Sequence, residues 1–566
     1  MDFEIGQTHE KAAENPFTEY RLQVAFTQGT QQYKAPGFYT ADGDAAQTGA
    51  DSGGVWRVVF TPPFAGEWAY EVSFRQGRQI ACLTDPYTGK PVAPYDGQSG
   101  TFTVQPPPET ATHFERTGGL RHKGSRYLNT QDGKPLLIFG TNSPENFLAY
   151  ADIDNTYAAD SNRNFIKTWS PHLQDWNPGD PTWKDGKGKG IIGALNYLAE
   201  KEMNTIYLLT LNIGGDAGDV WPFISHRRED YLRYDVSKLA QWDIIFSHAE
   251  QLGIVIEVIT QEQENQLLLD DGYTQTERKL YYRELIARFA HHKNIIWNIG
   301  EENGYTDSWP HGQNDQQRFA MIRYLKENDP YQHPVLVHTY PYEAERAEIL
   351  NPLLKYDPLD GLSMQIGEPE QVHRTIRQWV EKARQQHPWI VLMDEIGPWH
   401  TGTKPDRLDP HHTKDRTTVL WPALMAGAGG IQWYFGWLTP PHDLNAEDLR
   451  SRDNIWEQTA HARAFFEQLN YTDMRSADHL TGRGDNHCLA LEGAAYAIYL
   501  KYGGTTQLDL RQAEGNYTIA WYNPRAGGAL QEGTVKEIKA GGWADIGFAP
   551  EDRYEDWAVL IQRAAQ

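Results

Sequence analysis

Short apolar runs recur along the middle of the chain, and longer stretches with helical periodicity separate them. The runs are apolar on both faces, as the strands of a covered parallel sheet are. Eight of them occupy residues 135–140, 205–211, 254–260, 294–300, 334–340, 361–367, 389–395 and 429–435. Eight strands that alternate with helices over about 300 residues predict an α/β fold, the (β/α)8 TIM barrel. A doubly wound open sheet is the alternative, which the lack of a G-x-G-x-x-G motif after the first run disfavours.

The two ends of the chain follow a different pattern. Residues 17–104 alternate or run apolar in short stretches with glycine and proline between them, which predicts an all-β domain. Within it, we expect residues 62–66 to form a hairpin turn between strands at 56–61 and 67–74. Strand-like runs return after about residue 470 and predict a second β-sandwich.

These patterns predict three domains. The proline-rich segment 105–112 has the composition of a linker. The predicted units are an N-terminal β-sandwich in residues 1–108, a (β/α)8 catalytic barrel in residues 109–470 and a C-terminal β-sandwich in residues 471–566.

The charge and composition of the chain narrow the classes of molecule that it is expected to bind. The formal net charge of −24 opposes nucleic acid or an anionic membrane as the main partner. The sequence contains no run of 18 apolar residues, so it predicts no membrane span. The first residues lack the apolar core of a signal peptide, so we expect a cytoplasmic location unless a leader has been removed, and otherwise a periplasmic or secreted one. The two cysteines, Cys82 and Cys488, are too few for a disulfide framework or a zinc site.

Carboxylates follow two of the predicted barrel strands. Catalytic groups of such barrels lie at the carboxyl ends of the strands. The fourth run ends in Glu301 and Glu302, and the seventh in Asp394 and Glu395. Alternation from Asn298 predicts that Glu302 points toward the barrel axis and Glu301 away from it or sideways. In the seventh run both parities are apolar, so alternation does not choose between Asp394 and Glu395.

Two carboxylates at opposed strand ends suit glycoside hydrolysis. One must be protonated to donate to the leaving oxygen, and the other must be ionised to attack the anomeric carbon or to activate water. The neighbouring charge helps to keep the pKa of the acid high. Other polar and aromatic side chains near the strand ends are candidates for substrate binding: Asn142, Asn212, His338, Tyr340, Gln365, Trp399 and Trp433, together with Glu301. We also expect several loop tryptophans to line a sugar cleft, from the set Trp169, Trp176, Trp183, Trp221, Trp309 and Trp399.

The motifs "WNIGEENG" (297–304) and "VLMDEIGPW" (391–399) resemble the two active-site signatures of the clan-A retaining glycoside hydrolases. The resemblance implies Glu302 as acid/base, Glu395 as nucleophile and a carboxyl separation of roughly 5 Å. It also implies a sugar platform at Trp433. The chain departs from the clan at Glu301, where the clan has an asparagine that donates to a sugar hydroxyl. An ionised glutamate can only accept, so Glu301 binds a hydroxyl differently, pairs with a basic group or is itself the acid.

The flanks carry a second resemblance. Residues 55–74 resemble the N-terminal sandwich called DUF5060. The tail, with "AYAIYLKYGG" (495–504) and "YTIAWYNPRAGG" (517–528), resembles the collagen-binding-like sandwich that commonly follows apiosidase-like DUF4038 barrels. Such relatives act on varied substrates that include plant and algal polysaccharides, so the resemblance does not name the sugar.

The predicted function is therefore that of an O-glycosyl hydrolase of the EC 3.2.1 type, which cleaves a plant or algal polysaccharide or oligosaccharide by retaining double displacement. We expect no cofactor and no metal site. The paired histidines 291–292 and 411–412 are not expected to form one, because adjacent histidines on one loop rarely converge on one ion. A carbohydrate substrate is the expected partner, and a homo-oligomer is left open. The alternatives are a non-catalytic carbohydrate-binding protein on the same scaffold and a polysaccharide lyase.

Overall fold

The computed structural model describes residues 1–109, 111, 113–159 and 162–564. Its N-terminal part consists of two antiparallel sheets that face each other. The strands are β1 (Asp2–His9), β2 (Tyr20–Gln28), β3 (Gln31–Pro36), β4 (Phe38–Tyr39), β5 (Ser52–Arg57), β6 (Gly66–Gln76), β7 (Lys90–Pro91) and β8 (Ser99–Val104), and the short helices are α1 (Pro16–Glu19) and α2 (Ala45–Thr48). One sheet has the order β1-β5-β4, and the other has the order β3-β2-β6-β7 with β8 also paired to β6. Trp56 and Phe74 meet between the sheets with their ring centroids 5.4 Å apart.

The predicted hairpin at residues 62–66 is wrong. Strand β5 pairs with β1 and β4, whereas β6 pairs with β2, so the two strands belong to opposite sheets. Pro62 and Pro63 have no N–H group to donate across a tight turn. The segment instead crosses from one sheet to the other, which lets both strands bury their aromatic side chains in the same core.

A short segment closes the amino-terminal end of the barrel. It comprises helix α3 (His113–Thr117) and a small sheet of β9 (Leu120–Arg121), β10 (Leu128–Thr130) and β11 (Pro135–Leu136). Leu120 and Leu128 pack in one apolar cluster with Val255 and Ile296 from the barrel interior. The first predicted run is therefore divided, because Pro135 and Leu136 belong to this sheet rather than to the barrel.

Eight parallel strands form a closed barrel in chain order, which confirms the predicted fold class. They are β12 (Ile138–Thr141), β13 (Thr205–Leu209), β14 (Val255–Ile259), β15 (Ile295–Asn298), β16 (Val335–His338), β17 (Gly361–Ile366), β18 (Ile390–Ile396) and β19 (Gly430–Trp433). One helix follows each strand along the chain: α4 (Lys189–Glu200), α5 (Val236–Leu252), α6 (Thr276–Phe289), α7 (Asp315–Asn328), α8 (Glu343–Leu350), α9 (Val372–Arg384), α10 (Trp421–Ala426) and α11 (Asp453–Phe466).

The strands alternate between the barrel interior and the helices. In β15, Asn298 donates to Glu257 Oε1 inside the barrel (2.8 Å), whereas Trp297 donates its indole N–H outward to Asp329 (3.0 Å). Strand β18 departs from this rule, because its register against β17 shifts after Met393 and leaves Asp394 as an extra residue. Such a bulge places two consecutive side chains on one face.

The C-terminal part is a second antiparallel unit. Its strands are β20 (Arg475–Ser476), β21 (Asn486–Leu491), β22 (Ala495–Leu500), β23 (Gln507–Asp509), β24 (Asn516–Tyr522), β25 (Glu537–Lys539), β26 (Trp543–Asp545) and β27 (Trp557–Arg563). Six of them form a sheet in the order β20-β21-β22-β27-β24-β25, and β23 pairs with β26. Trp521 and Trp557 lie in its separate apolar core.

Buried contacts hold this unit against the barrel. Arg416 donates two hydrogen bonds to Asp556, each of 2.9 Å, and Trp421 stacks on Tyr499 with ring centroids 5.2 Å apart. The domain boundaries at 108/109 and 470/471 stay predictions. Among the described residues, no helix combines the length and the apolar character that a membrane crossing requires. Both cysteines are free thiols, Cys488 buried and Cys82 half-buried.

Candidate active site

An acidic cleft of about 360 Å³ opens at the carboxyl ends of the barrel strands. Seven carboxylates line it: Glu145, Asp216, Glu262, Glu264, Glu301, Glu302 and Glu395. Arg163, Gln263 and three aromatic side chains, Trp399, Tyr434 and Trp437, complete the lining. The cleft therefore brings together the two carboxylates that the sequence placed on the fourth and seventh strands.

A larger groove of about 840 Å³ lies between the N-terminal sandwich and helices α6 and α7. Its ionisable lining is mainly basic and includes Arg21, Lys34 and Lys279. The groove is remote from the carboxyl ends of the strands, where barrels of this type place their chemistry. The smaller acidic cleft is the better candidate for the active site.

Each of the two predicted catalytic carboxylates accepts a hydrogen bond from a different glutamine side chain. Gln263 Nε2 donates to Glu302 Oε2, and Gln365 Nε2 donates to Glu395 Oε1, both at 2.6 Å. The Gln365 amide also acts on Glu302 and opposes the rise in the pKa of that carboxyl. Gln365 thus lies between the carboxylates from β15 and β18.

The backbone after β15 turns sharply and brings both adjacent glutamates to the cleft. The strand ends at Asn298, Gly300 has a φ of 150°, and Glu302 has a φ of 37°. A positive φ is uncommon for a residue with a Cβ and is typical of constrained functional loops. Strict alternation ends with the strand, which is why Glu301 faces the cleft sideways rather than turning away from it.

His338 connects the ends of β15, β16 and β18. Its Nδ1 accepts the backbone N–H of Glu302 (3.2 Å), so the ring proton resides on Nε2. Nε2 lies 3.5 Å from Glu395 Oε2 and 3.6 Å from Asp394 Oδ2. Burial lowers the pKa of His338 to about 3, so the imidazole is neutral and directs an N–H toward Glu395.

The carboxylates perturb one another strongly. Burial, and then the charge of Glu264, raises the pKa of Glu302 to about 8. Burial, and then the charges of Glu301 and Glu302, raises the pKa of Glu395 well above its usual range. Close carboxylates share protons because they cannot all ionise together. The N–H group of Gln365 favours the ionised form of Glu395 and opposes this rise in its pKa, and the Nε2–H of His338 faces the same carboxyl.

A second layer of buried polar groups lies under the cleft. Glu257 accepts hydrogen bonds from Asn298 (2.8 Å) and Gln432 (2.6 Å). Asp394 accepts from Ser363 (2.5 Å) and from Asn142 (3.5 Å). Asn142, predicted as a substrate ligand, is therefore placed below the cleft and supports Asp394.

Three other predicted ligands use their polar groups within the protein. Asn212 donates to Asp219 (2.9 Å), and Tyr340 donates its hydroxyl to the backbone oxygen of Gly304 (2.9 Å). Trp433 is fully buried and donates its indole N–H to Thr459 on α11 (2.9 Å). The outward direction of Trp433 follows from strand alternation, because Gln432 before it points into the barrel.

The six loop tryptophans do not gather at the cleft as expected. Trp169, Trp183 and Trp221 are fully buried, whereas Trp399 lines the cleft and is 61 % exposed. The buried tryptophans pack against neighbouring side chains, as Trp169 does against Phe147 with ring centroids 4.7 Å apart. Trp169 and Trp183 belong to the core of the long insertion between β12 and β13, and Trp221 belongs to the loop after β13.

The sequence reasoning missed several cleft residues. Glu145 lies four residues beyond the end of β12, and Trp437 lies four residues beyond the end of β19. Asp216 and Arg163 come from longer loops. These positions lie beyond the final residues of the apolar runs, where the candidate site residues were expected. The acidic and aromatic residues of the following loops were the available signal.

In each of the two histidine pairs, one histidine forms hydrogen bonds with two acidic residues. His412 binds Asp406 (2.8 Å) and Asp415 (3.3 Å) through its two ring nitrogens. His292 binds Asp243 (2.8 Å) and Glu250 (3.2 Å) in the same way. A ring with acceptors at both nitrogens has neither lone pair directed at a metal.

Two family models match the ends of the chain. The model described as "Domain of unknown function (DUF5060)" matches residues 1–75. The model described as "Putative collagen-binding domain of a collagenase" matches residues 476–562. Both resemblances inferred for the flanking sandwiches are therefore confirmed. Membership of clan A and the apiosidase-like type stay predictions.

Solved structures share the architecture at low sequence identity. A structure titled "putative glycoside hydrolase" from Bacteroides vulgatus ATCC 8482 has a TM-score of 0.65 and 15% identity, and the alignment covers 100% of this chain and 98% of that one. A family 5 glycoside hydrolase from the same organism has a TM-score of 0.56 and 16% identity over 81% of this chain and 96% of that one. A structure titled "Glycoside hydrolase" has a TM-score of 0.55, with 14% identity over 81% and 99% of the two chains.

These similarities establish the fold. No curated protein sequence matches the chain.

Proposed function

We propose that this chain is a glycoside hydrolase that cleaves a plant or algal polysaccharide or oligosaccharide with retention of anomeric configuration. The observation that carries the proposal is the meeting of Glu302 and Glu395 in one cleft, from the ends of β15 and β18, with Gln365 between them. Solved structures with the same architecture are glycoside hydrolases, which supports the reaction class.

In the proposed first step, Glu395 attacks the anomeric carbon and forms an ester bond to the sugar. The glycosidic bond breaks, and its electron pair goes to the departing oxygen, which takes the proton of Glu302. In the second step, the Glu302 carboxylate removes a proton from water, whose oxygen attacks the same carbon and displaces Glu395. The product keeps its configuration after two inversions.

The surrounding groups fit these two roles. Gln365 and the Nε2–H of His338 face the Glu395 carboxylate, which needs a negative charge to attack. The raised pKa of Glu302, about 8, keeps a proton available to the leaving oxygen at neutral pH. Trp399, Tyr434 and Trp437 offer aromatic faces on which sugar rings stack.

Glu302 is the better acid candidate than Glu301. Gln365 acts on both Glu302 and Glu395, so these two carboxyls border the same space. Glu301 also acts on Glu395 through its charge, but it provides a carboxylate oxygen that lies within 4.8 Å of oxygens of Glu145 and Glu262. The predicted separation of roughly 5 Å between the catalytic carboxyls belongs to this proposal.

The test begins with a panel of plant and algal glycans and identification of the products. On an active substrate, Glu395→Gln and Glu302→Gln should each abolish most hydrolysis while the affinity for the glycan persists. Glu381→Gln, on the exposed face of α9, is the matched control and should hydrolyse at the wild-type rate. NMR of the first-formed product should show the anomer of the substrate.

Different results would support the alternatives. Full hydrolysis by both glutamine variants would refute the assignment of the catalytic pair. A product that absorbs in the ultraviolet would indicate elimination by a lyase. Glycan binding without turnover by the wild-type protein would indicate a binding protein.

A further inference from the structure

Three carboxylates outside the proposed catalytic pair converge at one side of the cleft. Glu145, Glu262 and Glu301 follow β12, β14 and β15, and each provides an oxygen that lies within 4.8 Å of the other two. Glu145 is 4 % exposed, Glu262 is 2 % exposed and Glu301 is half-buried. Three carboxylates so close together repel one another when ionised, and burial strengthens that repulsion.

Glu262 has an oxygen without a partner. Its Oε2 accepts the backbone N–H of Asp216 (3.1 Å), but Oε1 is buried and has no hydrogen-bond partner among the described residues. The Glu262 side chain caps the turn at residues 263–265 and faces the N–H of Asn265, which makes its hydrogen bond to the backbone oxygen of Glu262 (3.3 Å). An ionised carboxylate oxygen that is buried without a donor is costly, and a proton or a bound cation removes that cost.

The loop that contacts Glu262 is built for a close approach. A Cβ on Gly215 would lie 1.3 Å from Glu262 Oε2, so no other residue fits there without displacing the carboxylate. The absence of a side chain lets the next residue, Asp216, bring its N–H to Oε2. One Glu262 oxygen is thereby fixed by the backbone, and the other is left for a ligand.

The cleft contains a basic side chain, but it is committed elsewhere. Arg163 donates from Nη1 to the backbone oxygen of Asp216 (2.9 Å), and its guanidinium lies over Trp437 at 5.8 Å. Arg163 therefore does not neutralise the three carboxylates, which either share protons or bind a cation from outside the chain. Because two of the three are almost fully buried, a small ion reaches them more readily than a charged group carried on a sugar ring.

The geometry fits an alkaline-earth ion. Calcium takes carboxylate oxygens at about 2.4 Å, so two oxygens bound to the same ion lie at most about 4.8 Å apart. The observed group satisfies this limit for all three oxygens. A set made of oxygen atoms alone favours calcium, magnesium or manganese over metals that prefer nitrogen or sulfur ligands.

We propose that Glu145, Glu262 and Glu301 bind a divalent cation of the alkaline-earth type, with calcium as the best match. The ion would join the loops that follow β12, β14 and β15 into one rigid wall of the cleft, with water as its remaining ligands. It would also fix Glu301 beside Glu302. The proposal goes beyond glycoside hydrolysis and does not depend on it.

Three other clusters in the described part of the chain combine histidines with acids. They centre on His122 with Asp360, on His292 with Asp243 and on His373 with Asp478. In each of them, the named histidine already uses both ring nitrogens in hydrogen bonds. Two of these clusters also contain an unpartnered buried atom, His387 Nε2 and His291 Nδ1, but these atoms are ring nitrogens, whereas the group at the cleft offers carboxylate oxygens alone.

The test uses the full chain after treatment with a chelator and its removal. Calcium, magnesium and manganese chlorides are titrated by calorimetry, and thermal unfolding is followed with and without each ion. We expect one calcium ion per chain and a higher Tm with calcium. Glu262→Gln and Glu145→Gln should each weaken calcium binding by about tenfold or more, because affinity depends on ligand charge. Glu264→Gln removes another cleft carboxylate outside the group and should keep the stoichiometry of one.

Several results would overturn the proposal. One is the absence of binding for all three ions up to about 10 mM, the weak end of natural calcium sites. Another is unchanged binding in both glutamine variants. A rise of Tm with glucosamine but not with calcium would assign the group to an ammonium ligand instead. Circular dichroism checks the fold of each variant, and Glu262→Asp replaces Glu262→Gln if the latter does not fold. Because no glycan is present, the outcome is independent of the hydrolysis assay.

Discussion

Gln365 donates its side-chain N–H to Glu395 across 2.6 Å, between the neighbouring barrel strands β17 and β18. The contact depends on the bulge at Asp394, which sets Glu395 opposite Gln365 in the register. A donor to a carboxylate stabilises the charged form and lowers the pKa of that carboxyl. Gln365 therefore opposes the effect of burial and of the neighbouring acids on the proposed nucleophile.

Replacement of Gln365 by leucine removes this donor. We expect the pKa of Glu395 to rise, because the ionised form loses a hydrogen bond. The acidic limb of kcat/KM against pH should move to higher pH by about one to two units, the equivalent of one hydrogen bond to a charged group. Gln378→Leu is the matched control, since Gln378 donates to Glu343 at 2.5 Å from helix α9, outside the cleft. An unchanged acidic limb in Gln365→Leu would show that Gln365 does not act on the nucleophile.

The second prediction concerns the alkaline limb of the curve of activity against pH. Burial and Glu264 raise the pKa of Glu302 to about 8, so the acid form falls as pH rises through about 8. Activity on a natural glycan should decline over that range. Glu302→Ala should lower turnover of the glycan by about 10²- to 10⁴-fold but spare aryl glycosides whose leaving groups need no proton. On those substrates the alkaline limb should disappear. A limb near pH 8 that persists in Glu302→Ala would assign it to another group.

The barrel could be predicted from the periodicity of the sequence, because apolar runs and helical stretches depend on residues that are close together in the chain. Six of the eight runs contain the observed strand, and β12 and β18 each extend one residue beyond their run. The alternation of Trp297 and Asn298 follows the rule for a strand covered by helices. The N-terminal hairpin failed because strand pairing is not local. The pattern of residues 52–76 is equally compatible with two strands that pair with each other and with two strands that lie in opposite sheets.

The two carboxylates were predictable from the motifs at two strand ends, where Glu395 lies within β18 and Glu302 lies four residues beyond the end of β15. Glu302 and Glu395 reach one cleft, and the bulge at Asp394 explains why alternation alone did not choose between the two acids of β18. Glu145 and Trp437 depend on loop conformations that no period encodes. Strand alternation places Trp433 on the outer face of the barrel, opposite to Gln432, and its indole N–H binds Thr459 on a helix that begins 20 residues later in the chain.

The contrast between Trp399 and Trp433 gives a third prediction. Trp399 is 61 % exposed at the cleft, whereas Trp433 is fully buried and hydrogen-bonded. Trp399→Ala should raise KM roughly five- to tenfold with little change in Tm, as the loss of one stacking platform does. Trp433→Ala should instead destabilise the barrel by about 3 to 5 kcal/mol, because it leaves a large cavity. Thermal unfolding and KM measured on both variants separate the roles. A raised KM at unchanged stability in Trp433→Ala would favour the platform that the sequence motif implies.

The last prediction concerns stability far from the cleft. Although burial lowers the pKa of His412, its hydrogen bonds to Asp406 and Asp415 outweigh that effect and raise the pKa to about 9. The unfolded chain has a histidine pKa of about 6.5. The folded state therefore binds the proton more tightly, and the resulting stabilisation is complete below pH 6.5 and is lost as pH rises through 9.

The replacement His412→Asn should reveal this contribution directly. At pH 6 it should destabilise the protein by about 3 kcal/mol through the lost charge, and at pH 9.5 the loss should be much smaller. The neighbouring His411 is exposed, so His411→Asn is the matched control and should show little effect at either pH. Calorimetric unfolding of the three proteins at pH 6, 7.5 and 9.5 measures the difference. An equal loss of stability at all three pH values would mean that packing alone, rather than the charge on His412, accounts for its effect.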